Sequence, residues 1–175
     1  MSDQFQPLEP LESMILRAAE GWLELGNWQE ASRELEQIAP ARQDHPGVLL
    51  VRYGIFSEAK DWDRAAGVAS QLIKLCPDSA LVWIGFAYCT RRKTDGSIAE
   101  AKQILLLAEP RFPGEFHFPY NLACYCAQLR EFGEAMQWLE KALAIGGKTV
   151  RELAGKDEDL KPLWERLGGI PWLQR

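Results

Sequence analysis

A short pattern of bulky and small residues recurs four times along this chain of 175 residues. Each copy has a bulky residue three positions before an alanine, and these alanines are Ala31, Ala65, Ala101 and Ala135. Successive alanines are 34, 36 and 34 residues apart. A period of roughly 20 to 50 residues is typical of repeat arrays, in which each unit buries its apolar face against its neighbours.

Each repeat has the pattern of two helices joined by a tight turn. In DWDRAAGVASQLIKLCPDS, which starts at Asp61, the residues Trp62, Ala65 and Ala69 follow the three-and-four spacing of one helix face. Pro77 is expected to end this helix because it has no backbone N–H to donate. The stretch ALVWIGFAYCTRRK, which opens the next repeat, has the composition of a partner helix.

This pattern resembles the tetratricopeptide repeat (TPR), whose unit of about 34 residues carries W-x2-L-G-x2-Y and then A-x3-F…P. The last repeat matches with Leu122, Ala123 and Cys126, followed by Ala135 and Leu139. The resemblance implies an all-α fold, a right-handed superhelical solenoid of about four antiparallel helix pairs with a C-terminal capping helix.

The same register divides the chain into segments. Residues 1–10 are predicted to form a flexible N-terminal arm, and residues 148–175 a capping helix and tail. The four TPR-like repeats are predicted at 11–45, 46–79, 80–115 and 116–147. In the second repeat, Arg52 and Tyr53 stand where the TPR pattern has an apolar and then a small residue. A one-residue shift that puts Gly54 at the close-contact position is therefore left open.

Composition argues against several classes of protein, although a local basic patch stays possible. A formal net charge of -5 argues against a nucleic-acid partner. The longest apolar runs, such as residues 104–108, are too short to span a bilayer, so no membrane partner is expected. Four cysteines without framework spacing, and a start that lacks a secretory-signal pattern, favour a reducing cytoplasm. We therefore expect a cytoplasmic protein.

Candidate catalytic and metal-binding residues are sparse. The two histidines, His45 and His117, lack Cys, His or carboxylate partners at the spacing of a zinc site. The GGKT tetrapeptide from Gly146 ends like a phosphate-binding loop but lacks the upstream glycine and a preceding strand. We therefore predict no enzymatic activity, no cofactor and no metal.

Two short motifs permit both a structural and a functional reading. Cys124 and Cys126 lie two positions apart on one predicted helix, so they do not share a face. We expect Cys126 to pack in the core and Cys124 to face a groove formed by the first helices of the repeats, in preference to a joint metal or redox site. The run from Arg91 through Arg92 to Lys93 either complements a helix dipole or forms a positive rim for an acidic peptide.

The first helices of TPR arrays line a concave face that binds peptides in characterised members. The resemblance therefore implies a groove for an unknown protein or peptide. The register projects the following residues onto it: Arg17, Glu20, Leu50, Gly54, Ile84, Tyr88, Arg91, Arg92, His117, Tyr120, Asn121, Cys124 and Gln128. The Lys, Arg and Asn clamp by which some members hold a terminal carboxylate is replaced here by Leu16, Glu20, Val51, Leu81 and Gly85.

Three functional hypotheses follow. The first is a protein–protein interaction module, an adaptor or scaffold that binds a peptide or protein segment in the concave groove. The alternative is a chaperone-like holder of secretion or assembly substrates, for which the pI near 5.2 is suitable. A third is self-association through the C-terminal tail, in which Trp172 would present an apolar surface.

Overall fold

The computed structural model describes residues 6–170, and every regular element within that range is helical. The α-helices are α1 (Pro10–Glu24), α2 (Trp28–Leu35), α3 (Pro46–Glu58), α4 (Trp62–Leu75), α5 (Ala80–Thr90), α6 (Ile98–Ala108), α7 (His117–Gln128), α8 (Phe132–Ala154) and α9 (Lys161–Leu167). Short 3-10 turns occur at Pro40–Arg42, Glu109–Arg111 and Glu158–Leu160. The prediction of an all-α fold with four helix pairs and a final helix is confirmed.

The turns inside three of the helix pairs share one backbone conformation. Gly26, Lys60 and Arg130 have φ of 73°, 57° and 63°, and each directly precedes the N-cap residue of a second helix. Lys60 lies 34 residues after Gly26, and Arg130 lies 70 after Lys60. The repeat period is therefore present in the backbone as well as in the side chains.

Three of the four second helices begin at side-chain caps. The caps of α2, α4 and α6 each accept a hydrogen bond from the backbone N–H three residues later; they are Asn27, Asp61 and Ser97. Such caps satisfy one of the N–H groups that have no partner in a helix's first turn. Each cap thus fixes where a second helix starts.

The chain divides into two compact units. The first contains the described residues up to Val82 together with Arg92–Thr94, and the second contains Trp83–Arg91 and the described residues from Asp95 onward. In the first unit a Cβ added to Gly54 would lie 2.9 Å from Leu23 Cδ1, so α3 approaches α1 closely at this glycine. Gly54 therefore occupies a close-contact position in the second repeat.

Helix α7 is the centre of the second unit. Nine of its residues are buried, from Phe118 to Ala127 with Asn121 as the exception. α6 and α8 contact it, and so do residues 158–160 and α9. Leu160, Leu163 and Trp164 are buried in that contact, and Trp164 Nε1 donates to the carbonyl of Ala154 at 3.1 Å.

The chain returns to α7 because α8 bends. Gly147 has φ 51° and ψ -120°, a conformation that interrupts the helix and that favours glycine. At the adjacent Gly146, an added Cβ would lie 2.9 Å from the Phe116 ring and 2.5 Å from Val150. Glycine is thus required at 146 by packing and at 147 by conformation.

Some sequence predictions concern residues outside this range. Trp172 and the start of the predicted N-terminal arm, residues 1–5, lie outside the described residues. Among the helices of residues 6–170, none combines the length and apolar composition that a bilayer crossing requires.

Candidate functional site

An acidic stretch of the chain, residues 157–160, lies across α7 and is called the acidic segment here. The Tyr120 hydroxyl donates to Asp157 Oδ2 at 2.7 Å, and the Cys124 thiol donates to the same oxygen at 3.6 Å. The Gln128 side-chain amide donates to the backbone carbonyl of Asp159 at 2.8 Å. Three side chains one or two turns apart on α7 thus hold this segment.

The second carboxylate of the segment is bound by an arginine. Arg91 follows α5, and its two terminal nitrogens lie 2.6 and 3.2 Å from the two oxygens of Asp159. The guanidinium also lies 5.2 Å from the centre of the Tyr125 ring. The Arg91 side chain is 15% exposed and that of Asp159 32%, so the pair is shielded from water more than a surface ion pair. The hydrogen bond to Asp159 raises the pKa of Arg91.

Burial keeps the α7 donors protonated. Desolvation raises the pKa of Tyr120, and its hydrogen bond to Asp157 raises it further. Desolvation likewise raises the pKa of the Cys124 thiol, with added repulsion from the Asp157 and Asp159 charges. Both groups therefore carry the proton that a bond to Asp157 needs at neutral pH.

A second polar cluster in the same unit is built around a buried lysine. Lys102 Nζ lies 2.7 Å from Glu131 and 2.5 Å from Glu134, and Cys126 Sγ lies 3.7 Å from Glu134. Burial lowers the pKa of Lys102, but the two glutamate hydrogen bonds outweigh it and raise the pKa. Cys126, Glu131 and Glu134 have ligand atoms close enough to hold a metal ion, yet the Lys102 ammonium already supplies the positive charge between them.

The structure brings four of the projected groove residues together on the acidic segment. Arg91, Tyr120, Cys124 and Gln128 all contact it, and Tyr120 and Cys124 are only 7% and 2% exposed. The acidic segment thus covers three of the five projected residues on α7, Tyr120, Cys124 and Gln128.

The other projected residues are spread over the two units. Arg92 lies 5.8 Å from the centre of the Trp62 ring. His117 pairs with Glu115, and the Asn121 side chain donates to the His117 carbonyl at 2.7 Å. Those on the surface are Arg17, Glu20, Leu50 and Tyr88, while Gly54 and Ile84 are half-buried.

Solved structures of TPR proteins are similar to this chain in fold. A MamA fragment from Desulfovibrio magneticus RS-1 is 15% identical with a TM-score of 0.69, over 93% of this chain and 94% of that one. A thermophilic TPR protein of Thermus thermophilus, TTC0263, is 19% identical with a TM-score of 0.67, over 90% and 83%. This chain has the TPR fold.

A third similar structure is PilW, a type IV pilus biogenesis factor. It is 20% identical with a TM-score of 0.65, over 93% of this chain and 80% of that one. At these identities the likeness extends to the fold alone. No protein-family model matches the sequence, and no curated protein matches it.

Two features of this chain are not predicted from its sequence. The repeat pattern assigns Asp157 and Asp159 to a capping tail, and their partners Tyr120 and Gln128 are 37 and 31 residues away in sequence. Leu81 is 71% exposed at the start of α5, where it lines an apolar depression in the first unit. The other lining residues are Leu50, Tyr53, Ala69, Leu72 and Val82. Leucine at a first helical turn carries no signal of exposure, so the sequence does not predict it.

Proposed function

We propose that this protein is an interaction module, an adaptor or scaffold, that binds a segment of a partner protein through the first-helix surfaces of its units. One observation carries the proposal: side chains of α7, with Arg91, hold a stretch of polypeptide by an ion pair and by hydrogen bonds to carboxylate and carbonyl oxygens. A surface that holds peptide in this way has the chemistry of peptide recognition.

The first unit contributes apolar contact area to the proposal. Leu50 of α3 and Leu81 of α5 are 40% and 71% exposed beside a depression whose floor is Ala69 and Leu72. Burying an exposed leucine against a partner contributes about 1.5–3 kcal/mol. This depression therefore suits an aliphatic side chain of the bound segment.

The proposed role is not catalytic. Away from the acidic segment, the second unit pairs Lys102 with Glu131 and Glu134, and it pairs Lys141 with Glu109, so these lysines are held in ion pairs. Catalytic sites instead hold an acid, base or nucleophile poised for transfer. The proposed location is the cytoplasm, on the sequence grounds given above.

Crosslinking and affinity recovery from the source cell test the proposal. The Leu81→Ala variant should recover about tenfold less of its main crosslinked partner than the wild type. Alanine keeps part of the leucine contact, and losing about 1.4 kcal/mol of it is tenfold in affinity. Leu107→Ala is the matched control, because Leu107 is 70% exposed but lies on the second helix α6.

Equal recovery of the same partners by both variants would contradict the proposal. Neither substitution should change the free energy of unfolding by more than about 0.5 kcal/mol, because both leucines are exposed. Recovery of many unfolded clients, in place of one stoichiometric partner, would favour the chaperone-like holder instead.

A further inference from the structure

The acidic segment is held at four points, three on its polar groups and one on its leucine. Its first carboxylate, on Asp157, accepts from Tyr120 and Cys124. Its second, on Asp159, is paired with Arg91. The Asp159 carbonyl accepts a hydrogen bond from α7, and the following Leu160 is fully buried. The residue between the two aspartates is exposed. The surface thus contacts or buries the side chains of the two aspartates and the leucine and leaves the residue between the aspartates exposed.

We propose that this surface is a recognition site for an Asp-x-Asp-Leu segment, and that the chain's own acidic segment is a tethered occupant that such a segment of a partner protein replaces. This proposal rests on the proposed function and names the chemistry of the partner. The positions that define the pattern are Asp157, Asp159 and Leu160.

A segment of a partner protein can make the same contacts with this surface as the chain's own acidic segment. The hydrogen bonds and the ion pair that hold the segment on this surface come from side chains of α7 and from Arg91, so an incoming segment of the same pattern re-forms them. Gly155 precedes the segment, and Gly168 follows α9 with φ 73°. Glycines lower the cost of changing backbone direction on either side of the stretch that must leave.

Because the acidic segment is covalently joined to the site that holds it, it lowers the affinity expected for a separate peptide. A tethered segment competes at an effective concentration in the millimolar range for a short connection. The apparent affinity for a partner falls in proportion to the fraction of molecules whose site is free. The wild type should therefore bind a competing segment weakly, and a chain whose own segment fits poorly should bind it more tightly.

A peptide titration with the full chain tests this. The probe is a fluorescent peptide of residues 156–166, KDEDLKPLWER, and its matched control carries asparagine at both aspartates. The receptors are the wild type and a full-length Asp157→Asn plus Asp159→Asn variant. By fluorescence anisotropy, the double variant should bind the acidic peptide at least tenfold more tightly than the wild type does. The asparagine peptide should bind neither.

Two titration results would overturn the proposal. The first is no binding of the acidic peptide by a double variant whose helical circular dichroism is native. The second is equal binding of the acidic and asparagine peptides, which would show that the carboxylates are not read. A concentration-dependent dimer of the wild type by light scattering would assign the occupant to a second copy and would also overturn it.

Hydrogen exchange on the wild type keeps the proposal falsifiable if the double variant does not fold. The Leu160 N–H donates to the Asp157 carbonyl at 3.1 Å, and the Asp159 N–H to the Asp157 carboxylate at 2.9 Å. These amides should exchange at least tenfold faster than those of α7, through local release of the segment. Exchange at the same rate as α7 would make the segment a fixed part of the core.

These tests are separable from the test of the proposed function. The leucine variants probe partner recovery through the first unit, whereas the peptide titration probes the second unit with a defined ligand. A failed crosslinking experiment with a successful titration would reject the adaptor role and keep the recognition site. A successful crosslinking experiment with a failed titration would keep the adaptor role and reject the recognition site.

Discussion

Cys124 and Cys126 lie two positions apart on α7, and both are buried, but their neighbours differ. Cys124 donates to Asp157, whereas Cys126 Sγ lies 3.7 Å from Glu134. Burial raises the pKa of Cys126 to about 12, and the Glu134 charge adds to it against the opposing effect of Lys102. Since the thiolate is the reactive form, both thiols are inert at neutral pH.

Thiol labelling checks this accessibility. In the native protein at about pH 7.5, iodoacetamide should modify Cys76, which is partly exposed, while Cys89, Cys124 and Cys126 stay unlabelled. In denaturant all four cysteines should react. Mass spectrometry of intact and digested protein gives the count, and rapid native labelling of either α7 cysteine would contradict the structure.

The sequence predicts one part of this arrangement well. Spacing alone separates the two thiols onto different sides of a helix and places Cys126 in the core, where the structure has it. Spacing alone does not predict the cover over Cys124, because the carboxylate that caps it lies 33 residues downstream in a tail outside the repeat pattern. A periodic pattern carries information about the contacts that repeat, and this contact occurs once.

The helical elements show where periodic information is sufficient. Apolar spacing, the alanine positions and the proline exits together predict all four helix pairs, because each pair makes the same contacts as its neighbours. The bend of α8 at Gly147 and the return of the acidic segment follow no period. The GGKT tetrapeptide has the ending of a phosphate loop in sequence, and the structure shows its glycines bending a helix.

The turns between helices contain strain that glycine would relieve. Lys60 and Arg130 adopt positive φ where the first repeat has Gly26. A left-handed conformation costs a non-glycine residue about 1–2 kcal/mol, of which the entropy of glycine in the unfolded chain offsets about 0.5–1 kcal/mol. Lys60→Gly should therefore stabilise the protein by about 0.5–1 kcal/mol, measured by urea unfolding.

A matched control separates this effect from a general one. Gln71→Gly, on the exposed face inside α4, should destabilise the protein by about 1 kcal/mol because glycine is a poor helix former. If Lys60→Gly and Gln71→Gly both destabilise by the same amount, the turn is not strained at Lys60.

At the scale of the whole molecule, ion pairs connect stability to pH. The pKa values of three carboxyl groups are lowered, chiefly by hydrogen bonds from Arg64, His117 and Lys102; these groups are Asp61, Glu115 and Glu134. Two lie in the second unit and one in the first. A group whose pKa is lower in the folded state stabilises the fold above its unfolded pKa, and that contribution is lost as the pH falls through the folded value.

The lowered pKa values of these carboxyl groups predict how stability changes in acid. The free energy of unfolding should fall as the pH drops from about 5 towards about 3, since the ordinary pKa values are 3.8 for Asp61 and 4.5 for the two glutamates. Urea unfolding at a series of pH values measures it. Glu134→Gln should flatten the curve in this window, and an unchanged slope would contradict the assigned Lys102 pair.

The two glycines at the bend of α8 limit where a further repeat can be inserted into this chain. Gly146 has no room for a side chain and Gly147 turns the helix, so a further repeat cannot be joined by continuing α8 past them. A duplicated unit would have to enter upstream, at the left-handed Arg130, in multiples of the 34-residue period. The bend, the acidic segment and α9 would then follow the added repeat and end the lengthened array.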